Sequence, residues 1–253
     1  MRVTLNGYVV NDDDAWIYRW FGYRCFSPAE IRDALEHNPE GEDLVFEINS
    51  PGGEVIAGNE MYSVLRASTV NTVAEIQSLA ASAASYLSLG CRRVMISPVA
   101  QMMIHLPSGG GDGDYHFHEQ QSAVLRSIGE SILNAYEVRC AGKTKRAQLR
   151  EMMEKETWLC AQDALAAGLV DGILYQEGET PLVIPSSITN AVGGGIRAIA
   201  ASGGLPSAAE LRAKYEALQQ RQPPEDAEKP AEPGLKDDWR NEARLSIERA
   251  RFI

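Results

Sequence analysis

The sequence predicts an α/β domain over residues 1–180, followed by a linker over 181–206 and a partly disordered, short-helix arm over 207–253. Three observations predict this. Short apolar strand-like segments alternate with amphipathic helical segments through the first 180 residues, joined by short connections. The formal net charge of −11 lies wholly in those residues, because 181–253 carries ten Lys+Arg and ten Asp+Glu. Behind them the texture changes to Gly193-Gly194-Gly195 and Ala200-Ala201-Ser202-Gly203-Gly204, a linker composition.

The elements follow in order. Residues 3–10 and 15–19 read as strands around the polar turn at 11–14. A helix begins at Ser27-Pro28-Ala29-Glu30, with Ser as N-cap and Pro at the first helical position, and runs to about Glu36. Residues 44–48 form a strand, Ser50-Pro51-Gly52-Gly53 a turn, and 55–66 a helix. A strand over 72–76 leads into a small-residue helix over 80–90. Strands follow at 94–96 and 101–105, then the Gly-rich loop 109–113 and a long helix over 117–140. Its Val124, Leu125, Ile128, Ile132 and Leu133 make an apolar stripe. A helix over 162–167 and a strand over 170–174 close the domain. In the arm, Ser207 caps a helix with Glu210 three residues later, and Leu211, Tyr215 and Leu218 share a face. Residues 223–234 are polar and Pro-rich, and 237–252 suit a second short helix.

Composition bounds the chemistry. An acidic chain argues against a dedicated nucleic-acid binder. No stretch approaches the ~20 apolar residues of a membrane span, and the amino terminus lacks a secretory pattern, so a cytoplasmic protein is expected. Cys25, Cys91, Cys140 and Cys160 are scattered without CxxC spacing, which disfavours a disulfide framework or a zinc site. His116-x-His118 with Glu119 is a weak metal pattern lacking an obvious third ligand, so no metal and no cofactor are expected.

Three motifs carry chemical potential. A strand, the Pro51-Gly52-Gly53 turn and a helix start leave backbone N–H groups free for an oxyanion. The turn lacks the Lys and Ser/Thr of a phosphate-binding loop, so nucleotide binding is disfavoured. In Ala80-Ala81-Ser82-Ala83-Ala84-Ser85, Ser82 stands at a helix start where the Ala83 N–H can face a reacting carbonyl oxygen. Ser78, Ser85 and Ser88 compete with it. His105 ends an apolar strand just before Leu106-Pro107. A serine nucleophile needs such a base and a carboxylate to orient it. Asp112, Asp114, Glu154, Glu156, Asp163 and Asp171 are all available, and spacing does not choose among them.

Taken together, Phe46-Glu47-Ile48-Asn49-Ser50-Pro51-Gly52-Gly53, Ala57-Gly58, Tyr62, Ala80-Ala81-Ser82-Ala83, Met103-Ile104-His105 and Gly168-Leu169-Val170-Asp171 resemble the ClpP-like serine peptidases. The likeness covers most of residues 1–180, with the motifs in order. Ala81-Ser82-Ala83-Ala84-Ser85 and Glu156-Thr157-Trp158-Leu159, together with the arm, are most similar to the ClpP-related head maturation proteases of tailed bacteriophages.

The resemblance implies a ClpP/crotonase-like fold of repeated ββα units. It implies Ser82 as nucleophile, His105 as general base, and the Gly52 and Ala83 N–H groups as the oxyanion hole. The family's usual Asp falls here at Glu156, with Asp112 or Asp114 next in line. Capsid or scaffold proteins would be the substrates, within the bacterial host cell and its assembling procapsids. Copies of the chain would associate into rings through the helix over 117–140. The related crotonases offer acyl-CoA chemistry as an alternative, and a Ser-Lys dyad would need one of the late lysines. An ATP-dependent housekeeping peptidase subunit and a catalytically silent assembly module are further alternatives.

Overall fold

The computed structural model of the protein describes residues 1–175 and 205–219. Among them one sheet is built in the order β2 (Cys25–Phe26), β1 (Arg2–Val9), β3 (Leu44–Gly53), β4 (Thr72–Ala81), β5 (Arg93–Ile96) and β8 (Gly172–Ile173). All of these pairs are parallel. Near its end β4 also pairs with β6 (Gln101–Ile104), which pairs antiparallel with β7 (Thr157–Cys160). The helices are α1 (Ala15–Trp20), α2 (Pro28–Glu36), α3 (Val55–Ala67), α4 (Ala83–Ser88), α5 (Tyr115–Cys140), α6 (Arg146–Glu154), α7 (Ala161–Ala167) and α8 (Ala208–Gln219). Parallel strands require crossover connections, and α2, α3 and α4 supply them. The core is continuous: Leu5, Phe46, Ile48, Ile76 and Ile96 from the strands pack with Met61, Leu65, Leu87 and Leu133 from the helices. The expected α/β class is the class observed.

Four details depart from the sequence reading. Residues 15–19 form helix α1, not a strand. Asn11 Oδ1 accepts the Asp14 N–H at 2.8 Å, turning the chain into a helix, and β2 takes the place beside β1. Strand β3 does not stop at Ile48 but continues through the Pro-Gly-Gly turn, because after a register shift Gly52 and Gly53 still pair with Tyr8 and Val9 of β1. Strand β4 likewise extends to Ala81, so the alanine-rich run is half strand and half helix. The start of α2 is not capped by the Ser27 side chain; Asp12 Oδ1 accepts the Ala29 N–H at 2.8 Å instead.

Helix α5 begins where Asp114 accepts the Phe117 N–H at 3.0 Å. Of the expected stripe, Ile132 and Leu133 are buried in the core, whereas Val124 is 51% exposed. By contacts the chain divides into Met1–Ala213 and Lys214–Ile253. Within the first unit Leu211 is buried and Arg212 pairs with Asp14 at 2.6 Å. The capping box expected at Ser207 is present, with Ser207 N–H to Glu210 at 2.8 Å and Glu210 N–H to Ser207 Oγ at 3.2 Å. Most of the linker expected over 181–206 and the helix expected over 237–252 lie outside the described residues. Among the described residues no helix is long and apolar enough to cross a membrane.

Candidate active site

Ligand sites in parallel α/β sheets form beyond the carboxyl ends of the strands. Here β3 ends at Gly53, β4 at Ala81 and β6 at Ile104, so Gly52, Ser82 and His105 arrive at one rim. Ser82 Oγ lies 2.8 Å from His105 Nε2. The pair is half-buried, which leaves the hydroxyl accessible while reducing water around the ring.

Ser82 holds a backbone conformation that L-residues rarely adopt, with φ 53° and ψ −123°. Such a conformation costs on the order of 1–3 kcal/mol and persists only where surrounding bonds enforce it. Three bonds do so. The Ser82 N–H donates to the Met103 carbonyl at 3.0 Å, locking the end of β4 onto β6. Its carbonyl accepts the Ser85 N–H at 3.0 Å and the Ser85 hydroxyl at 2.6 Å. The result is a sharp strand-to-helix turn with the hydroxyl presented at its apex, the geometry of a nucleophile elbow.

Glu156 stands in a second strained position, with φ 50°. In the β6/β7 ladder Gln101 opposes Cys160 and Ile104 opposes Thr157. Glu156 immediately precedes Thr157, the partner of Ile104, so it stands at the same end of the β6/β7 ladder as His105. The Leu106 N–H bonds the Met153 carbonyl at 3.2 Å, which keeps the two segments together beyond the ladder. The other acids are placed differently: Asp114 caps α5, and Asp112 is exposed in the Gly-rich loop. Asp171 accepts the Val94 N–H at 2.7 Å and pairs with Arg139.

Gly52 has φ 94°, and a Cβ there would lie 2.6 Å from the Ala81 oxygen and 2.9 Å from the Ala83 nitrogen. The two backbone segments expected to hold an oxyanion are therefore in contact. The Ala83 N–H opens α4, where the first N–H groups have no acceptor within the helix. The Gly52 N–H donates to Ser50 Oγ at 3.1 Å, and Ser50 is fully buried. To serve an oxyanion, Gly52 exchanges that neutral bond for a charge-assisted one, roughly twice as strong. Gly52→Ala is expected to lower turnover by about 10²-fold and to depress the melting temperature. The added methyl meets backbone in the strained turn, which cannot yield as a side chain would. Turnover within threefold of the parent would contradict it.

The competing serines separate cleanly. Ser78 is exposed on β4, and Ser85 and Ser88 are fully buried, each donating to a carbonyl at 2.6 Å. Burial pushes the Cys91 thiol up to about 12 and Cys140 up to about 11, so neither offers a thiolate. His116 and His118 are exposed on the first turns of α5, with His116 3.9 Å from Glu119. Among the described residues no group of three or more His, Cys, Asp or Glu is arranged to hold a metal ion.

Some neighbours of the site have no local signature. The Ser50 bond to Gly52 is a short-range turn, legible in Ser-Pro-Gly as a side chain reaching two residues on. The bond between Ser85 and Tyr136 spans 51 residues and leaves no such mark. A larger hollow of about 480 Å³, beyond Pro107, is lined by Leu106, Gly110, Leu125, Gly129 and Met153 and does not include the Ser–His pair.

The family model for Clp protease matches residues 33–177. The ATP-dependent Clp protease proteolytic subunit 1 of Chlamydia muridarum is 36% identical over 152 residues, 56% of this chain and 74% of that protein. The corresponding protein of Chlamydia trachomatis serovar D is 34% identical over 151 residues, again 56% and 74%. The ATP-dependent Clp protease proteolytic subunit of Mesostigma viride is 28% identical over 148 residues, 57% of this chain and 63% of that protein. With the matched stretch spanning the strand ends that carry Gly52, Ser82, His105 and Glu156, the chain belongs to the Clp protease family of serine-type endopeptidases.

Proposed function

We propose that this peptidase cleaves capsid or scaffold proteins during phage head maturation, with Ser82 as nucleophile, His105 as general base and acid, and Glu156 as the group that orients the imidazole. The observation that carries the catalytic part is the 2.8 Å approach of Ser82 Oγ to His105 Nε2 at the ends of β4 and β6. For Nε2 to accept the hydroxyl proton, the ring's other proton sits on Nδ1, and a carboxylate opposite that nitrogen stabilises this tautomer and the imidazolium that follows. Ser82 Oγ adds to the peptide carbonyl carbon as its proton passes to Nε2. The carbonyl oxygen takes the negative charge beside the Ala83 and Gly52 N–H groups, each such donor contributing about 3 kcal/mol to the transition state. Collapse breaks the C–N bond, and the imidazolium protonates the leaving amine. Water then adds to the acyl carbon as its proton passes to Nε2, the C–Oγ bond breaks, and the imidazolium returns the proton to Ser82 Oγ as the acid leaves.

The head-maturation assignment rests on sequence: Ala81-Ser82-Ala83-Ala84-Ser85, Glu156 where the family usually has Asp, and the neutral, Pro-rich arm. Association into rings through α5 is part of the same proposal, and the 51% exposure of Val124 supports it. One observation favours a second reading, an ATP-dependent housekeeping subunit, because the relatives carry that name.

Two experiments separate the readings. Purified protein incubated with casein is expected to degrade it without nucleotide, and co-expression with a tailed-phage major capsid protein is expected to yield a trimmed capsid protein. Intact capsid protein, together with casein cleavage only when an unfoldase and ATP are added, would overturn the head-maturation reading in favour of the second.

A further inference from the structure

We propose that Tyr86 and Tyr136 close the recess beneath Ser82, so that the residue whose carbonyl is attacked must carry a small side chain: Gly, Ala or Ser. The inference rests on the reading of Ser82 as nucleophile and specifies the substrate that this site accepts.

A recess opens directly beside Ser82 and His105, walled by Val55, Tyr86, Pro107, Ile132 and Tyr136. Its position and apolar walls suit the side chain that precedes the scissile bond. Its size does not suit a large one. Only about 10 Å³ is open to the centre of a water molecule, which is room for one water or one methyl group.

Both tyrosines are held in place by their hydroxyls. Tyr86 donates to the Val55 carbonyl at 3.0 Å and lies against Gly58, where a Cβ would come within 2.6 Å of the phenol oxygen. Tyr136 lies 2.7 Å from Ser85 Oγ. Ser85 has one hydroxyl proton, and it goes to the Ser82 carbonyl at 2.6 Å, so Tyr136 is the donor to Ser85. Burial raises both phenols above their ordinary range, which keeps them neutral donors. Swinging either ring aside to admit a leucine or phenylalanine would break its bond and leave a buried hydroxyl unpaired. The Tyr136–Ser85–Ser82 chain also ties the floor of the recess to the strained turn that carries the nucleophile. Widening one would therefore disturb the other.

The test uses the full-length protein and three peptidyl diphenyl phosphonates that differ only in the terminal residue analogue: alanine, leucine or phenylalanine. Each forms a bond from Ser82 Oγ to phosphorus and expels phenol, which leaves with the serine proton. Intact mass follows the rate, and peptide mapping locates the adduct. The alanine reagent is expected to react with Ser82 at least tenfold faster than the leucine reagent and about a hundredfold faster than the phenylalanine reagent. Tyr136→Val should raise the leucine-to-alanine rate ratio at least tenfold, while Tyr136→Phe, which keeps the ring, should leave that ratio near the parent value.

If the leucine or phenylalanine reagent modifies Ser82 as fast as the alanine reagent, the size limit is overturned and the nucleophile assignment stands. If none modifies Ser82, both fall. Should Tyr136→Val fail to fold, the parent series alone decides.

Discussion

Ser82→Ala is expected to lose on the order of 10⁶-fold in casein hydrolysis, the scale seen when the nucleophile of a serine triad is removed. The fold should survive. The substitution deletes one half-buried hydroxyl and its 2.8 Å bond to His105, a loss of about 1 kcal/mol, or about 2–4 °C in melting temperature for a domain of this size. Ser82→Gly sharpens the test. At φ 53° and ψ −123° glycine sits without the penalty that serine and alanine both bear. The glycine variant should be equally inactive yet melt above the alanine variant, by about 2–4 °C if ~1 kcal/mol is recovered. A higher melting temperature for Gly than for Ala at equal inactivity would show the strain that Ser82 bears in its turn. Hydrolysis by Ser82→Ala within tenfold of the parent would remove the nucleophile from the mechanism.

Glu156→Gln is expected to lower kcat by about 10³–10⁴-fold. The amide keeps the size of the side chain but gives up the negative charge, and an amide facing Nδ1 allows the wrong imidazole tautomer. Glu156→Asp keeps the charge and tolerates the left-handed backbone at φ 50°, so it should recover part of the rate. A purely structural role would instead show in the melting temperature, which the near-isosteric Gln should leave within a few degrees. A Gln variant with kcat within threefold of the parent would show that some other acid orients His105.

Much of the domain can be read from the chain because its signals are local. The strand at 44–48 and the strand at 72–76 announce themselves by β-branched and apolar residues, and Pro28 with Ser27 marks the start of α2. Ser82 is readable as a candidate because it stands at a helix start, and His105 because it ends an apolar strand. Their pairing is not, since β4 and β6 meet only through the register of Leu79, Ala80 and Ala81 with Gln101, Met102 and Met103.

The same limit explains the rest. Residues 15–19 carry strand-like side chains, yet β2 takes the place beside β1 and Asn11 turns them into a helix. Pro51-Gly52-Gly53 looks like an end of β3, but β1 continues to pair with it. Glu156 is set at the His105 end of the β6/β7 ladder by a strand register that spacing alone does not encode. Tyr136 comes to the floor of the site from near the C-terminal end of α5, where its neighbours read as ordinary core.

The most direct measurement is labelling of the purified protein with a fluorophosphonate, followed by peptide mapping. One phosphonylated residue, Ser82, is expected in the parent, with labelling at least a hundredfold slower in His105→Ala, since an unassisted hydroxyl is a weak nucleophile. A protein that takes up no label, or takes it on a serine other than Ser82, would contradict the convergence of β4 and β6 on a working nucleophile.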